Sequence, residues 1–213
     1  MSPEITDKEH IRSYIKEKRR ELTAAEKKEK SRRAEANVVC LLKRLKKETD
    51  FSWLYCYMDL KKETGTKGII SWCIENGIQI AVPRISGKSM DFFTITSSCD
   101  CKPCAMGILE PKSDCPEAGE ASNGLSKTCP IIVPGVAFGR DGTRTGYGGG
   151  YYDRFFEKEP GHTAVGYCFD FQLYPYVPSE SHDKGMDFIV TENRILTTQD
   201  KKCNHSEDRL KQI

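Results

Sequence analysis

Segments rich in β-forming residues alternate with helical segments along this chain, and that order limits the folds it can adopt. The predicted strands are residues 51–57, 78–83, 90–96, a short buried one that opens 130–138, then 163–169, 187–192 and 194–198. Helices are predicted at 66–76, ending at Gly77, and near 151–158. Strands joined through helices usually lie parallel in one sheet with helices on its faces. The sequence therefore predicts an α/β fold, a single layered domain with a mostly parallel, Rossmann-like sheet.

Two helices that form a hairpin are predicted before the first strand. Thr6 with Glu9, and Thr23 with Glu26, have the spacing of capping boxes, which mark helix N-termini. The helices predicted from these caps cover about 7–21 and 24–47. The second helix carries an apolar stripe that we expect to be buried, formed by Val38, Leu41, Leu42 and Leu45.

Charge is unevenly distributed along the 213 residues. Residues 1–47 hold 15 Lys/Arg and 8 Asp/Glu, whereas the rest hold 18 and 23, and this basic start favours a phosphate or polyanion partner. No apolar run approaches a bilayer span and the first residues lack the layout of a secretory signal, so we expect a cytoplasmic protein without membrane contact. The ten cysteines are then expected to be thiols.

The stretch 141–155, DGTRTGYGGGYYDRF, follows a predicted strand and precedes a predicted helix. Its glycines allow backbone N–H groups to converge on a phosphate, and the helix start adds a favourable dipole; these glycines are Gly146, Gly148, Gly149 and Gly150. Arg144 and Arg154 flank the stretch, and Asp153 has the chemistry to hold Mg²⁺ against bound phosphates. The P-loop and dinucleotide patterns do not match, so a glycine-rich turn without a ligand remains the alternative.

At these residues the chain resembles the 5-formyltetrahydrofolate cyclo-ligases, also called methenyltetrahydrofolate synthetases. The resemblance is carried mainly by VPGVAFGRDGTRTGYGGGYYDRF, a long and specific signature. Shorter matches follow in family order from Lys8 to about Glu192: KEHIR, ETGTKGII, AVPRI, GILEP and HDKGMDFIVTE. The resemblance implies one cyclo-ligase domain over 1–198, with 199–213 as a polar, flexible tail.

The resemblance implies ATP-dependent closure of 5-formyltetrahydrofolate to 5,10-methenyltetrahydrofolate, with release of ADP and phosphate. Phosphorylation of the formyl oxygen would precede attack by N10. It implies Mg²⁺ as cofactor, ATP as co-substrate and folate, with or without a polyglutamate chain, as substrate. We expect a monomer that binds no nucleic acid.

The resemblance implies the following roles for individual residues of this chain, and we state them as expectations. Catalytic roles fall on Arg144 and Asp153, and Mg²⁺ ligands are Asp153 and Asp187. The ATP contacts are Lys8, Arg12, Arg144, Thr145, Gly146, Tyr147, Gly148, Gly149, Gly150, Tyr151 and Tyr152. The folate contacts are Glu63, Tyr147, Gly148, Gly149, Gly150 and Tyr151. Two extra residues separate the first strand from Glu63, so no folate contact is assigned to Met58.

Four further interpretations remain open from the sequence. A zinc site is an alternative for the cysteine-rich run, which supplies Cys99, Cys101, Cys104 and Cys115. An RNA-binding module is an alternative for the basic helices with the Gly/Tyr/Arg stretch. Residues 97–129 are interpreted as a long loop, and His182 as a residue that orients the loop before Asp187.

Overall fold

The structure is a computed structural model, and it describes residues 7–104, 107–180 and 183–198. The predictions made on His182 and the tail 199–213 fall outside these residues. The helices are α1 (Lys8–Glu21), α2 (Ala24–Thr49), α3 (Lys67–Glu75), α4 (Ala118–Ala121) and α5 (Tyr151–Lys158). The strands are β1 (Trp53–Cys56), β2 (Gln79–Ser86), β3 (Ser89–Ile95), β4 (Cys101–Pro103), β5 (Leu109–Pro111), β6 (Pro130–Val133), β7 (Ala137–Gly139), β8 (Arg144–Thr145), β9 (Thr163–Tyr167), β10 (Leu173–Tyr174), β11 (Phe188–Val190) and β12 (Ile195–Thr197).

A seven-stranded sheet in the order β12-β11-β9-β6-β1-β2-β3 forms the centre of the protein. The pairs β11–β9, β9–β6, β6–β1 and β1–β2 are parallel, and antiparallel strands close both edges. Strands β1 and β6 are buried along their whole length, as expected for parallel strands with both faces covered. The predicted α/β fold with a mostly parallel sheet is confirmed.

The strand order reverses at β1. The chain passes from β1 to β2 on one side, whereas β6, β9 and β11 follow on the other. In open α/β sheets, ligands collect at the carboxyl ends of the strands at such a reversal. A second sheet, β10-β7-β8, takes β7 and β8 from the segment directly after β6 and β10 from the segment after β9. It carries Arg144 on β8.

Helix α1 packs against this smaller sheet. Its buried residues Ile11 and Ile15 share a hydrophobic cluster with Val136, Ala137 and Tyr174. Its N-cap is Asp7 rather than the predicted Thr6, because the Asp7 carboxylate accepts bonds from the two amides two and three residues later at 2.8 and 2.7 Å. Packing on β7 is what brings the first turn of α1 toward the end of the central sheet.

Helix α2 follows the capping box predicted for it, which the structure confirms at Thr23 and Glu26. The predicted stripe of α2 is buried in a different cluster, against α3 and one face of the large sheet. The two N-terminal helices are therefore consecutive, but they cover different parts of the fold.

Residues 97–129 were predicted as a long loop, and this prediction is wrong. The segment contains a short 3-10 helix at Ser98–Asp100, the antiparallel pair β4–β5, helix α4 and a 3-10 helix at Leu125–Thr128. The Asp100 carboxylate accepts bonds from the Thr96 and Ser97 amides at 2.7 and 3.0 Å, and these bonds stabilise the start of the 3-10 helix at Ser98–Asp100. Elements of three or four residues are too short to show a period in the sequence.

Candidate active site

A cleft of about 730 Å³ opens at the carboxyl ends of β1 and β6. Tyr57 and Met58 continue from β1 into its wall, and Pro134 continues from β6. The cleft therefore lies at the reversal of strand order, where this fold class places its ligands.

The wall of the cleft has an apolar part and a charged part. The apolar residues are Tyr57, Met58, Leu60, Pro83, Ile85, Met90, Ile108 and Pro134. The charged residues are Lys8, Arg12, Glu63, Glu110, Arg144, Asp153, Glu180 and Asp183. The residues from Gly146 to Asp153 complete the wall. Such a wall suits a ligand, or a pair of ligands, with a flat apolar portion and an anionic portion.

Lys8 and Arg12 lie one turn apart on α1, on a half-buried side that adjoins the buried isoleucines Ile11 and Ile15. Arg12 Nε donates to the carbonyl of Gly146 at 3.1 Å. Lys8 Nζ pairs with Glu180 at 2.6 Å and Asp183 at 3.2 Å. Burial alone lowers the pKa of Lys8, but its bonds to the two carboxylates outweigh this and raise the pKa above its ordinary value. Lys8 is thus a firmly charged group at the edge of the cleft.

The glycine stretch forms a tight connection from β8 to α5. Gly148 and Gly150 have φ of +98° and +64°, which favour glycine, and Gly150 is the N-cap of α5. Because Gly150 has no side chain, it cannot supply the first amides of α5 with the hydrogen-bond partner that an N-cap side chain usually gives. A Cβ on Gly149 would lie 2.7 Å from the Tyr151 ring. The glycine backbone therefore lines the cleft without side chains that would cover its amide groups.

Arg154 supports the glycine stretch from the protein and does not line the cleft. Its Nη2 donates to the Gly149 carbonyl at 2.8 Å and its Nε to the Lys88 carbonyl at 3.0 Å. This geometry does not favour a phosphate contact by Arg154, because its Nε and Nη2 donors are occupied by backbone carbonyls.

Arg144 and Asp153 are joined by a bond of 2.6 Å between Nη2 and Oδ1. The Arg144 side chain is 5% exposed and that of Asp153 is 20% exposed. Two buried atoms in this part of the wall, Arg144 Nε and Tyr152 Oη, make no hydrogen bond to any residue that the structure describes. Buried polar atoms are rarely left unpaired, which points to a polar ligand or ordered water at this end of the cleft.

Glu63 lies in a turn that accommodates the two extra residues noted after β1. The amide of Leu60 donates to Glu63 Oε2 at 3.0 Å, and Lys61 and Lys62 form the exposed tip. Both Met58 and Glu63 consequently line the cleft. Burial raises the pKa of Glu63, while the bond from the Leu60 amide and the proximity of the Tyr147 hydroxyl act in the opposite direction.

The structure does not bring all the predicted site residues to the cleft. Thr145 is fully buried and its hydroxyl donates to the Pro178 carbonyl at 3.2 Å. Asp187 accepts a bond from the Ala164 amide at 2.8 Å and is not part of the cleft wall. Asp183 and Glu180, which sequence reasoning missed, are part of it.

The profile of the 5-formyltetrahydrofolate cyclo-ligase family matches residues 4–192. The chain belongs to the 5-formyltetrahydrofolate cyclo-ligase family. A cyclo-ligase of this family from Saccharomyces cerevisiae is 33% identical over 162 residues, covering 63% of this chain and 73% of its own. One from Mus musculus is 28% identical over 148 residues, covering 64% and 71%. The predicted family and the prediction of an enzyme in the cyclo-ligase class are confirmed.

A solved structure of this family shares the fold. The 5,10-methenyltetrahydrofolate synthetase from Aquifex aeolicus, determined by NMR, superposes with a TM-score of 0.72 at 25% identity, covering 95% of this chain and 98% of its own. Among the described residues of the present family member, no helix has the length and apolarity needed to cross a membrane.

The cysteines of this cyclo-ligase family member do not assemble a metal site within residues 7–104, 107–180 and 183–198. No three His, Cys, Asp or Glu side chains there are placed to hold an ion together. Cys99 is exposed, and Cys115 Sγ donates to the Asp100 carbonyl at 3.6 Å. The zinc alternative for the run that begins at Cys99 therefore has no support from the geometry.

One arrangement of nucleophile and base was missed by sequence reasoning, and it lies in the core. Cys129 Sγ is 3.8 Å from His162 Nδ1, and His162 Nε2 is 3.2 Å from Glu159 Oε2. Nδ1 also lies 2.9 Å from the Cys129 carbonyl, which has no proton, so Nδ1 must be the donor and is not free to accept the thiol proton. Burial raises the pKa of Cys129 as well, and the cluster is structural rather than catalytic.

Proposed function

We propose that this protein uses ATP and Mg²⁺ to convert 5-formyltetrahydrofolate into 5,10-methenyltetrahydrofolate, ADP and phosphate. The strongest support is the start of α5. It is a helix N-terminus without a capping side chain, preceded by glycines with positive φ, inside a cleft that also holds Lys8, Arg12 and Arg144. Converging amides, a helix dipole and three cations are the features that bind a triphosphate.

The apolar part of the cleft suits the flat ring of the folate. Met58, Ile85 and Met90 offer apolar contact, and Glu63 is a carboxylate within reach of the same wall. A carboxylate can accept two hydrogen bonds from neighbouring N–H donors on a pterin ring. We assign the ring to this part and the triphosphate to the part between α1 and α5.

The chemistry requires activation of the formyl group. The γ-phosphoryl group of ATP is transferred to the formyl oxygen, which breaks the bond to the β-phosphate oxygen and releases ADP. N10 then attacks the activated carbon, the carbon–oxygen bond breaks, phosphate leaves, and N10 loses its proton. The protein holds both ligands in line and stabilises negative charge, for which Arg144 and Lys8 are suited.

Asp153 fits a magnesium site in this proposal. It is a carboxylate on the cleft wall beside unpaired buried polar atoms, with one oxygen held by Arg144. A hard cation of this size typically takes one or two carboxylates plus phosphate oxygens and waters, and it would neutralise charge on the phosphates. We keep Asp187 as the second ligand on the basis of the family resemblance. To bind the ion, its carboxylate would have to give up the bond that it accepts from the Ala164 amide.

The reaction itself is tested by following the absorbance of the methenyl product with purified protein. We expect product only when 5-formyltetrahydrofolate, ATP and Mg²⁺ are all present, with one ADP released per product. Product formation without ATP, or ATP hydrolysis that does not depend on the folate, would contradict the proposal.

Replacing Lys8 with methionine is expected to raise the KM for ATP by about tenfold, because one charge-assisted contact to the phosphates is lost. The KM for 5-formyltetrahydrofolate should change by less than about twofold, since Lys8 lies in the charged part of the cleft. The measurement is steady-state kinetics with each substrate varied in turn.

Lys16→Met is the matched control for this change, because Lys16 is an exposed lysine on the same helix outside the cleft. It should leave both KM values unaltered. Equal losses for ATP and folate in the Lys8 variant would exclude a specific role at the phosphates.

The pH dependence of folate use should depend on Glu63. Because burial raises the pKa of this carboxyl above its ordinary value of 4.5, it gains a proton as pH falls while an exposed glutamate is still ionised. We expect kcat/KM for 5-formyltetrahydrofolate to fall on the acid side of neutrality in the wild type. Glu63→Gln should be lower at all pH values and should lack this acid limb.

Glu35→Gln provides the comparison for Glu63→Gln. Glu35 also has a pKa raised by burial, but its carboxylate binds the Gly68 amide away from the cleft. Its variant should keep the acid limb of the wild type. A wild-type profile in Glu63→Gln would remove this carboxyl from the folate site.

A further inference from the structure

Arg19 is bonded to the wall of the cleft although it belongs to no motif of the sequence analysis. It follows Arg12 by two helical turns on α1. Its Nη1 donates to the Tyr147 hydroxyl at 2.8 Å, and its Nη2 donates to the Gly135 carbonyl at 2.9 Å. Its guanidinium carbon lies 5.6 Å from the centre of the Tyr147 ring. Arg19 therefore holds Tyr147 through both the hydroxyl and the ring face.

The direction of the Tyr147 hydroxyl follows from the donors around it. A guanidinium group has five donors and no acceptor, so the Tyr147 oxygen must be the acceptor in its bond with Arg19. The hydroxyl proton is then available for another acceptor. Glu63 is the acceptor that we assign to it, because both residues line the same cleft, and the Tyr147 hydroxyl and the Arg19 charge both act to lower the pKa of the Glu63 carboxyl.

We propose that Arg19 is a positioning residue for the folate part of the cleft, acting through Tyr147, whose hydroxyl it directs toward Glu63. This inference rests on the proposed function, since it gives Glu63 and Tyr147 to 5-formyltetrahydrofolate. Arg19 itself touches neither ligand. It fixes the acceptor oxygens of Glu63 and the ring of Tyr147 before the substrate arrives, which reduces the entropy lost on binding.

The need for such a residue is visible in the exposure of Tyr147. Its side chain lies between two glycines with no strand or helix to hold it, and it is 51% exposed. Without Arg19, the ring would sample several rotamers and the buried Glu63 carboxylate would lose a donor. Arg20, the next residue, is a useful contrast because, within the described part of the chain, it forms an ion pair with exposed Glu17 on its own helix.

The test is a double-mutant cycle with Arg19→Met, Tyr147→Phe and the two combined. The dissociation constant of 5-formyltetrahydrofolate is measured by calorimetry without ATP, alongside steady-state kinetics with each substrate varied. Each single change should weaken folate binding by about tenfold. Arg19→Met should leave the KM for ATP within about twofold. Because Arg19 acts through Tyr147, the two losses should not multiply, and the combined variant should bind folate clearly better than the product of the single effects predicts.

Two further variants keep the test decisive. Arg20→Met should match the wild type in every measurement. Arg19→Lys retains one charged donor and should recover part of the lost affinity; if Arg19→Met does not fold, Arg19→Lys is carried through the same cycle, with an expected loss of about threefold.

Independent effects of Arg19 and Tyr147 that multiply in the combined variant would overturn the inference. So would a rise in the KM for ATP that parallels the loss of folate affinity, because that pattern indicates a general disturbance of the cleft. A wild-type protein that binds the folate but forms no product would instead contradict the proposed function, while the binding cycle would still report on Arg19.

Discussion

Asp153→Asn is expected to lower the turnover number by about a hundredfold or more while leaving the protein folded. Asparagine keeps the shape of aspartate and its Oδ1 still accepts the bond from Arg144, so the free energy of unfolding should fall by only about 1–2 kcal/mol. What is lost is the negative charge proposed to hold Mg²⁺ against the phosphates. Turnover and urea unfolding measure the two effects separately.

The magnesium requirement distinguishes a metal ligand from a residue that only orients Arg144. If Asp153 binds the ion, the variant should need a higher Mg²⁺ concentration for half-maximal activity. Asp91→Asn is the control, because Asp91 also pairs with a cation, Lys158 at 2.6 Å, but lies outside the cleft. A wild-type magnesium requirement in Asp153→Asn, with or without reduced turnover, would argue against the metal role.

Gly150→Ala is expected to raise the KM for ATP by about tenfold or more and to reduce turnover. Alanine at a φ of +64° costs about 1–2 kcal/mol of strain, and its Cβ would lie 2.6 Å from Arg154 Nη1, which must move. Arg154 then loses its hold on the Gly149 carbonyl, and the amides at the start of α5 shift. Kinetics with ATP varied measures the result.

Gly77→Ala is matched to this change in backbone strain. Gly77 has a φ of +69°, has open space around its Cβ position and follows α3 outside the cleft. Both variants should lose similar thermal stability, but only Gly150→Ala should lose ATP affinity. Equal ATP affinity in the two variants would mean that the glycine stretch is a turn without a ligand. Gly149→Val extends the series, since its Cβ would lie 2.7 Å from the Tyr151 ring on the cleft wall.

Features set by local sequence were predictable from this chain. Helix α5 has the predicted limits, and strands β1 and β6 lie inside predicted segments, because each contains a run of residues long enough to show its propensity. The N-cap of α1 was misplaced by one residue because threonine and aspartate are both good caps, and only the observed bonds of Asp7 distinguish them.

Features set by tertiary packing were not predictable. Arg19 and Tyr147 are 128 residues apart, and Lys8 is 172 residues from Glu180, so no local pattern links either pair. The basic face of α1 has the same composition as a solvated helix surface. Only the packing of Ile11 and Ile15 on the smaller sheet brings that face to the cleft.

The central sheet and the smaller sheet contribute different parts of the cleft wall. The floor of the cleft is the end of β1 and β6, two strands of the central sheet that are buried along their whole length. The three cations of the cleft, Lys8, Arg12 and Arg144, lie on β8 of the smaller sheet and on α1, the helix that packs against that sheet. Under the proposed function, nucleotide preference can therefore diverge among relatives through changes in α1 and the smaller sheet, while the surface proposed for the pterin stays attached to the central sheet.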